Sequence, residues 1–369
     1  MKGAFIAQEP REAIRALLKK SMNIGLFKAV LAYRKNKSGL IYPYLFTEVE
    51  ELDKLVPISP VIPGYSMATL LTWIHSSNYA QGQGKIAVLL KPCETRAIIE
   101  LSKFDQISLD NLLLISVECL GTYHVLDFVE MLEEGSSPEE SLLEYYYRGE
   151  DDAFRDACRI CLYPKAPYSD ANLIFIELMG RGLRIEALSQ KGFNLLVSLG
   201  YPIEELKETI PEIINRRSER RKEFIEKSRR DLAGPDKIDE FFKECINCHN
   251  CMEACPICFC RECFFDADRY EYVTKRFLSW SPKDGTTPMP EARIQFHLGR
   301  AFHMSTSCIT CGLCQQACPQ EIKLTEFFTL LAEENQALFN YIPGRNPEEQ
   351  PPIREFYEEE LEEYVGGSK

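Results

Sequence analysis

Fifteen cysteines are the residues of this 369-residue chain whose type and spacing could do chemistry. Eleven of them fall between Cys245 and Cys318, and the other four are Cys93, Cys119, Cys158 and Cys161. A secreted disulfide scaffold would be small and would spread its cysteines along its whole length. Clustered thiols in a reducing compartment therefore make metal ligation the first hypothesis.

Two cysteine runs of identical spacing form an internal repeat, and each run reads C-x2-C-x2-C-x3-C-P. Two-residue gaps let three thiolates converge on one face of a cubane, and the fourth cysteine ligates the other cluster in two-cluster ferredoxins. The spacing therefore predicts two 4Fe–4S clusters with crossed ligands. One is held by Cys245, Cys248, Cys251 and Cys318, and the other by Cys308, Cys311, Cys314 and Cys255.

Zinc is the alternative, because paired C-x2-C units also make four-thiolate zinc sites, but a full run repeated twice favours iron and sulfur. Three more thiols follow the first run, and their role stays open between an alternative ligand, a further metal site and plain burial. They are Cys258, Cys260 and Cys263. A helical pattern at Glu291–Met304 carries His297 and His303, for which we expect surface or packing roles.

The four outlying cysteines lie near the ends of predicted strands. Cys93 follows the aliphatic run Lys85–Leu90, and Cys119 follows Leu112–Val117. Parallel strands bring such residues to the carboxyl edge of a sheet, where open α/β sheets bind their ligands. With the pair Cys158-x2-Cys161 they make the donor set of another 4Fe–4S cluster, and a helix starting near Glu94 would direct its positive end at that anion. The alternative is two buried core cysteines and an unrelated C-x2-C pair.

Strand candidates at Lys85–Leu90, Leu112–Val117 and Leu173–Leu178 alternate with helical patterns at Glu94–Phe104 and His124–Leu132. This alternation predicts an α/β fold with a mostly parallel sheet. The charged stretch at 204–231 predicts a long helix or a helix pair that ends at Gly234-Pro235, and we interpret its basic string Arg216–Lys222 as a solvated helix face. The expected organisation is an α/β domain with one 4Fe–4S site at 1–203, a charged helical linker at 204–235, a helical ferredoxin-like dicluster domain at 236–340 and an acidic tail at 341–369.

Charge and hydropathy exclude several classes of protein. The formal net charge is −13, which argues against a general nucleic-acid binder because phosphate contacts need clustered Lys and Arg. No apolar run approaches the roughly 18 residues that a membrane-spanning helix needs. Charged residues arrive too early in the N-terminal segment for a secretory signal, so we expect a cytoplasmic protein.

Four blocks resemble the beta subunits of coenzyme F-420-reducing hydrogenases and of the related formate dehydrogenases. They are LLKPCETRAIIEL at 89–101, LLISVECLGTYH at 113–124, CRICLYPKAPYSDAN at 158–172 and the dicluster run. The resemblance covers roughly residues 80–180 and 240–325. It implies that Cys93, Cys119, Cys158 and Cys161 hold a 4Fe–4S cluster close to a bound FAD.

Two segments depart from the family pattern. Residues 20–25 (KSMNIG) stand where the family has a glycine-rich segment, and the bulky residues 173–180 (LIFIELMG) replace a small-residue loop. Bulk at such places would block close backbone approach to a flavin or deazaflavin.

The resemblance implies an iron–sulfur electron-transfer subunit of a cytoplasmic oxidoreductase complex, with three 4Fe–4S clusters and an FAD site. The implied partners are a molybdopterin formate dehydrogenase, a nickel–iron hydrogenase or a heterodisulfide-reductase-like assembly. The alternative is a flavin-free polyferredoxin-like adaptor that links a dehydrogenase or hydrogenase to such an assembly. A structural zinc or iron–sulfur protein that binds nucleic acid is a third hypothesis, and the net charge weighs against it.

Overall fold

Eight strands form one sheet in the computed structural model, which describes residues 2–76, 85–149, 151–178, 181–206, 212–260, 263–266 and 293–354. The strands are β1 (Lys2–Ile6), β2 (Ala29–Lys35), β3 (Ile41–Phe46), β4 (Ile86–Leu90), β5 (Leu112–Val117), β6 (Ala171–Ile174), β7 (Leu183–Ala187) and β8 (Glu204–Glu205). Their order across the sheet is β3-β2-β4-β5-β6-β7-β1-β8.

The helices are α1 (Pro10–Asn23), α2 (Met67–Ser76), α3 (Pro92–Lys103), α4 (Val125–Glu133), α5 (Pro138–Arg148), α6 (Asp156–Arg159), α7 (Gln190–Ser198), α8 (Glu212–Asp231), α9 (Pro235–Phe242), α10 (Asn250–Glu253), α11 (Arg293–Met304), α12 (Leu313–Gln316) and α13 (Leu324–Leu338). Short 3-10 turns lie at Val49–Lys54 and Phe264–Asp266. The helices predicted after the first two strand candidates are confirmed as α3 and α4, with bounds shifted by one or two residues.

The α/β class is confirmed, but the sheet is mixed and not mostly parallel. Strands β2, β4, β5 and β6 are parallel neighbours. The pairs β2–β3, β6–β7, β7–β1 and β1–β8 are antiparallel. Helices separate most consecutive strands, but β2 and β3, and likewise β6 and β7, follow one another without a helix and pair antiparallel, and β1 comes from the start of the chain to insert between β7 and β8.

The third strand candidate, Leu173–Leu178, is strand only over its first two residues, because β6 runs from Ala171 to Ile174. The backbone N–H groups of Phe175 and Ile176 donate to the Glu118 carboxylate, at 2.8 and 2.7 Å, and not to a neighbouring strand. Burial raises the pKa of Glu118 to about 7, although these hydrogen bonds oppose the shift. A side-chain acceptor thus ends the ladder before the apolar run ends.

Helix α13 packs against α8, and ion pairs join the two helices. Arg221 contacts Glu333 at 2.6 Å, and Lys227 contacts Glu326 at 3.0 Å. The interpretation of Arg216–Lys222 as a solvated face is wrong for Arg217, whose exposed fraction is 1%. Residues 207–211, at the start of the expected helical linker, lie outside the described residues.

The segment that follows α13 returns to α3. Tyr341 is buried and donates to Glu100 at 2.7 Å, and the Gly344 N–H donates to the same carboxylate at 3.0 Å. The expected acidic tail therefore begins with residues packed on the sheet's own helix, and residues 355–369 lie outside the described part of the chain. The four-region division stays a prediction. None of the described helices is long and apolar enough to cross a bilayer.

Candidate iron–sulfur sites

Each of the two crossed thiol sets predicted from the repeat lines a cavity of its own. The first cavity is lined by Cys245, Cys248, Cys251 and Cys318. The second cavity is lined by Cys255, Cys308, Cys311 and Cys314. The fourth cysteine of each run thus lies with the three leading cysteines of the other run, although ligation itself stays a prediction.

The backbone explains why each run wraps around its cavity. Non-glycine residues with positive φ are uncommon, yet Asn247 and His249 have φ of 55° and 60°. The corresponding residues of the second run, Thr310 and Gly312, have φ of 53° and 71°. This repeated geometry points the N–H groups of Asn247 and Thr310 at the Sγ atoms of Cys245 and Cys308, both at 3.4 Å. Short helices then begin at equivalent positions, α10 after His249 and α12 after Gly312.

Helix α11 supplies two buried side chains to the first cavity region. The Arg300 guanidinium donates to Cys251 Sγ at 3.0 Å and to Cys251 O at 3.1 Å. His297 stacks on Phe242 with ring centroids 4.1 Å apart and places Nε2 3.4 Å from Cys245 Sγ. Burial and the charge of Arg300 lower the pKa of His297 to about 3, so the ring is neutral. His297 is therefore a buried contact of the thiol set, whereas His303 is exposed.

The three additional thiols line none of the three thiol cavities of the described chain. A hydrogen bond from Cys258, together with the charge of Arg300, lowers the pKa of Cys255 to about 6, and the same contact raises the pKa of Cys258. Cys263 Sγ lies 3.6 Å from Met252 Sδ, and Cys260 is exposed. Their role remains open.

The third cavity brings together the four outlying cysteines, Cys93, Cys119, Cys158 and Cys161. Cys93 lies in the first turn of α3, Cys119 follows β5, Cys158 lies in α6 and Cys161 follows that helix. The carboxyl ends of the parallel strands β4 and β5 explain the first two positions. The Cys119 N–H donates to Pro164 O at 2.8 Å, which ties the β5 loop to the C-x2-C segment.

Burial and neighbouring charges shift the pKa values of these thiols in different directions. Burial and then the neighbouring charge of Glu94 raise the pKa of Cys93. Burial also raises the pKa of Cys119, against the charge of Lys91. The pKa of Cys158 is lowered, because the charge of Arg155 and a hydrogen bond from Thr122 outweigh its burial. Lys91, Arg155 and Arg217 all line the third cavity.

The third and second cavities adjoin. Both are lined by Ile309, Thr310 and Cys311. Gly312 brings the second run against α6, because a Cβ added there would lie 2.5 Å from the Cβ of Ala157. Arg96 of α3 donates to Ile309 O at 3.2 Å and to Pro343 O at 3.0 Å. The third cavity is thus joined to the second, whereas it shares no lining residue with the first.

The donor sets fit cubanes. Each of the three sets places four thiols around a cavity, which is the donor set of a 4Fe–4S cluster.

A fourth cavity opens at the same edge of the sheet. Its lining includes Tyr33, Ser59 and Leu142, and it shares Lys91 and Cys119 with the third cavity. The segments 20–25 and 173–178, which depart from the family pattern, do not line it. Residues 179–180 lie outside the described residues.

These cysteine sites define the class of the C-terminal part of the chain: residues 240–322 match the family of 4Fe-4S dicluster domains. The whole chain is similar to two archaeal beta subunits. It is 26% identical to the F420-dependent formate dehydrogenase subunit beta of Methanocaldococcus jannaschii, over 90% of this chain and 91% of that protein. It is 27% identical to the F420-dependent formate dehydrogenase 1 subunit beta of Methanococcus maripaludis, over 92% of each. The resemblance predicted from the sequence is therefore confirmed.

A chain in the structure of the F420-reducing [NiFe] hydrogenase complex from Methanosarcina barkeri is also similar, at 11% identity and a TM-score of 0.45. The match covers 64% of this chain and 94% of that one. A likeness of this size decides neither fold nor function.

Proposed function

We propose that this protein is the iron–sulfur electron-transfer subunit of a cytoplasmic oxidoreductase complex of the formate dehydrogenase or hydrogenase type. The observation that carries the proposal is that each of the three four-cysteine sets lines one cavity, with Cys311 of the second set also reaching the third cavity. The similarity to formate dehydrogenase beta subunits along nine-tenths of the chain supports the type of complex.

Three 4Fe–4S clusters form the proposed electron path. The clusters would supply one-electron transfer, and the protein sets their spacing, burial and potential. Because the third and second cavities share Ile309, Thr310 and Cys311, clusters held there would be neighbours, and the exchange of one thiol between the two runs would hold the first cluster beside the second. Cys248 of the first cavity is exposed, so the first cluster is the end of the path nearest the surface.

FAD is the proposed two-electron partner of the third cluster. The fourth cavity supports this, because it lies at the carboxyl edge of β4 and β5 and shares Lys91 and Cys119 with the third cavity. A bound flavin would exchange a hydride pair and release single electrons. Proposed companions are a molybdopterin formate dehydrogenase, a nickel–iron hydrogenase or a heterodisulfide-reductase-like assembly.

Metal and flavin analysis of the anaerobically purified full chain tests the proposal. Three cubanes require about twelve irons and as much acid-labile sulfide per chain. Zinc in the thiol sites, or only about a third of that iron, would overturn it. Flavin released by acid and read by fluorescence supports the FAD site. Full iron without flavin supports the flavin-free adaptor, and anaerobic co-purification then identifies the companion subunits.

A further inference from the structure

Three buried cations surround the third cavity. Lys91, Arg155 and Arg217 are 7%, 8% and 1% exposed, and each lines the cavity beside the four thiols. They come from three places in the chain: the residue before α3, the residue before α6 and the second turn of α8. The fold therefore gathers three positive charges at one point from distant segments.

The side chains of these cations donate to carbonyl, hydroxyl and thiol groups, although the Glu94 carboxylate lies nearby and accepts from the Lys91 backbone N–H at 3.1 Å. Lys91 donates to the carbonyl of Ser59, and Arg217 donates to the carbonyl of Leu120. Arg155 donates through Nε to Thr122 Oγ1 at 2.8 Å and approaches Cys158 Sγ at 3.7 Å. Among the described residues, none of the three forms an ion pair with Asp or Glu.

Two of the guanidinium groups also have a nitrogen that meets no hydrogen-bond acceptor in the described residues. Arg155 Nη1 and Arg217 Nε are buried and have no hydrogen-bond partner in the described part of the protein. A buried cation without an anion carries a large desolvation penalty that neutral carbonyls offset only partly. An anion in the third cavity is the partner that this arrangement lacks, and four thiolates around a cubane carry a net negative charge.

The first and second cavities differ in this respect. No Lys or Arg is among the residues that line either of them in the described chain. Arg300 contacts Cys251 of the first set and its charge also acts on Cys255 of the second, so a single cation outside both cavities serves the two sets. The density of buried positive charge is therefore highest at the third site.

We propose that Lys91, Arg155 and Arg217 are the counter-charge of a cluster held by Cys93, Cys119, Cys158 and Cys161, and that they give this cluster the highest reduction potential of the three. The inference rests on the proposed function, since it requires that the four thiols hold a cluster. Reduction adds one electron, and so one negative charge, to the cubane. Neighbouring cations stabilise the reduced form more than the oxidised form. The third cluster would then be the first of the three to be reduced.

Potentiometric titration with dithionite, read by electron paramagnetic resonance, tests the order in the full-length wild-type protein. The signal of the third cluster is identified as the one that changes or disappears in Cys161→Ser. We expect this signal to form at the highest potential. If it forms after a dicluster signal, the inference is wrong even where iron analysis has established three clusters. If iron analysis finds only two clusters, the proposed function fails first.

Matched variants test the cations themselves. Arg155→Gln is expected to make reduction of the third cluster at least tenfold less favourable, which is 59 mV for a one-electron couple, whereas Arg155→Lys keeps the charge and most of the potential. Arg217→Gln should act in the same direction. Arg300→Gln is the control, because it should shift a dicluster signal and leave the third one unchanged.

Unchanged potentials in both Gln variants, with the cluster present, would overturn the inference. If Arg155→Gln takes up no third cluster, the wild-type order and Arg217→Gln decide the outcome.

Discussion

Gly312 is the residue at which the second thiol run meets the third site. Its φ of +71° favours glycine, and an added Cβ would lie 2.5 Å from the Cβ of Ala157, next to Cys158. We expect Gly312→Ala to cost about 1–2 kcal/mol in left-handed backbone strain and about 1–3 kcal/mol more for the overlap. Chemical denaturation of the reconstituted protein measures the loss, and both adjoining clusters should show altered spectra.

Gly25→Ala is the matched control, since Gly25 has nearly the same φ, +73°, and nothing within 4 Å of an added Cβ. Gly25→Ala should lose only the stability that left-handed backbone strain costs, and its cluster spectra should be unchanged. Equal losses of stability in the two variants would show that the close approach of Ala157 adds nothing to the cost of a Cβ at position 312.

The crossed thiol sets give a second test at the residue scale. Cys255→Ser should disturb the cluster of the second cavity, although Cys255 belongs by sequence to the first run. We expect loss or spectral change of that cluster and, where it is lost, roughly a third less iron per chain. Iron analysis and electron paramagnetic resonance measure the effect.

Cys260→Ser is the comparison, because this exposed thiol lines none of the three thiol cavities. It should leave iron content and spectra unchanged. Damage to the first cluster in Cys255→Ser, with the second intact, would contradict the crossing.

Thiol spacing was readable from the sequence because a short repeat determines which ligands converge locally. The cations of the third site were not readable in the same way. Arg217 lies in a basic string with acids around it, which is typical of a solvated helix face. Only the packing of α8 over the loop after β5, where Arg217 reaches the carbonyl of Leu120, shows that its charge is buried.

At the scale of elements, α3 joins the sheet to the dicluster end of the chain. Its N-terminus carries Cys93, and its C-terminal half holds a buried cluster of Glu100, Lys103 and Tyr341. The Tyr341 hydroxyl lies 2.7 Å from both the Glu100 carboxylate and Lys103 Nζ, and the two charges are 3.2 Å apart. Burial and the Glu100 charge raise the pKa of Tyr341, so the hydroxyl stays protonated and donates.

Tyr341→Phe should destabilise the protein by about 1–3 kcal/mol, because it leaves a buried carboxylate and ammonium with one partner fewer. Urea denaturation measures the change in free energy of unfolding. The exposed tyrosine Tyr65 provides the comparison, since Tyr65→Phe should stay within about 0.5 kcal/mol of the wild type. Equal stability of the two variants would show that the hydroxyl contributes nothing to this contact.

The same scale shows which strands a sequence can reveal. Strands β4 and β5 are buried at every residue, and their sequences are aliphatic apart from Ser116 in β5. Strand β3 lies at the edge of the sheet and contains Pro43, which an edge strand tolerates but which weakens the sequence signal. Strand β1 pairs with β7 across about 180 residues, a partnership that no local pattern encodes.

At the scale of the whole molecule, Arg96 contacts residues of both the second and the third cavity of the proposed electron path. It is 2% exposed, donates to the carbonyls of Ile309 and Pro343, and lies 3.9 Å over the ring of Tyr163. Tyr163 lines the third cavity and Ile309 lines the second, so the Arg96 guanidinium contacts a lining residue of each cavity. Its contacts therefore determine how closely the two cavities approach.

Removing that guanidinium tests the link. Arg96→Gln should cost about 2–3 kcal/mol, because two buried carbonyls lose a charged donor, and should slow electron equilibration between the third and second clusters. Rapid-freeze electron paramagnetic resonance after partial reduction measures the rate, and iron analysis verifies that all clusters remain.

Arg15→Gln is the matched control: Arg15 makes two hydrogen bonds to Leu55 O, at 3.2 and 3.0 Å, and lines none of the cluster cavities. A similar loss of stability with an unchanged rate is expected there. If Arg96→Gln also leaves the rate unchanged, the docking of α3 against the second thiol run stabilises the fold without governing electron passage.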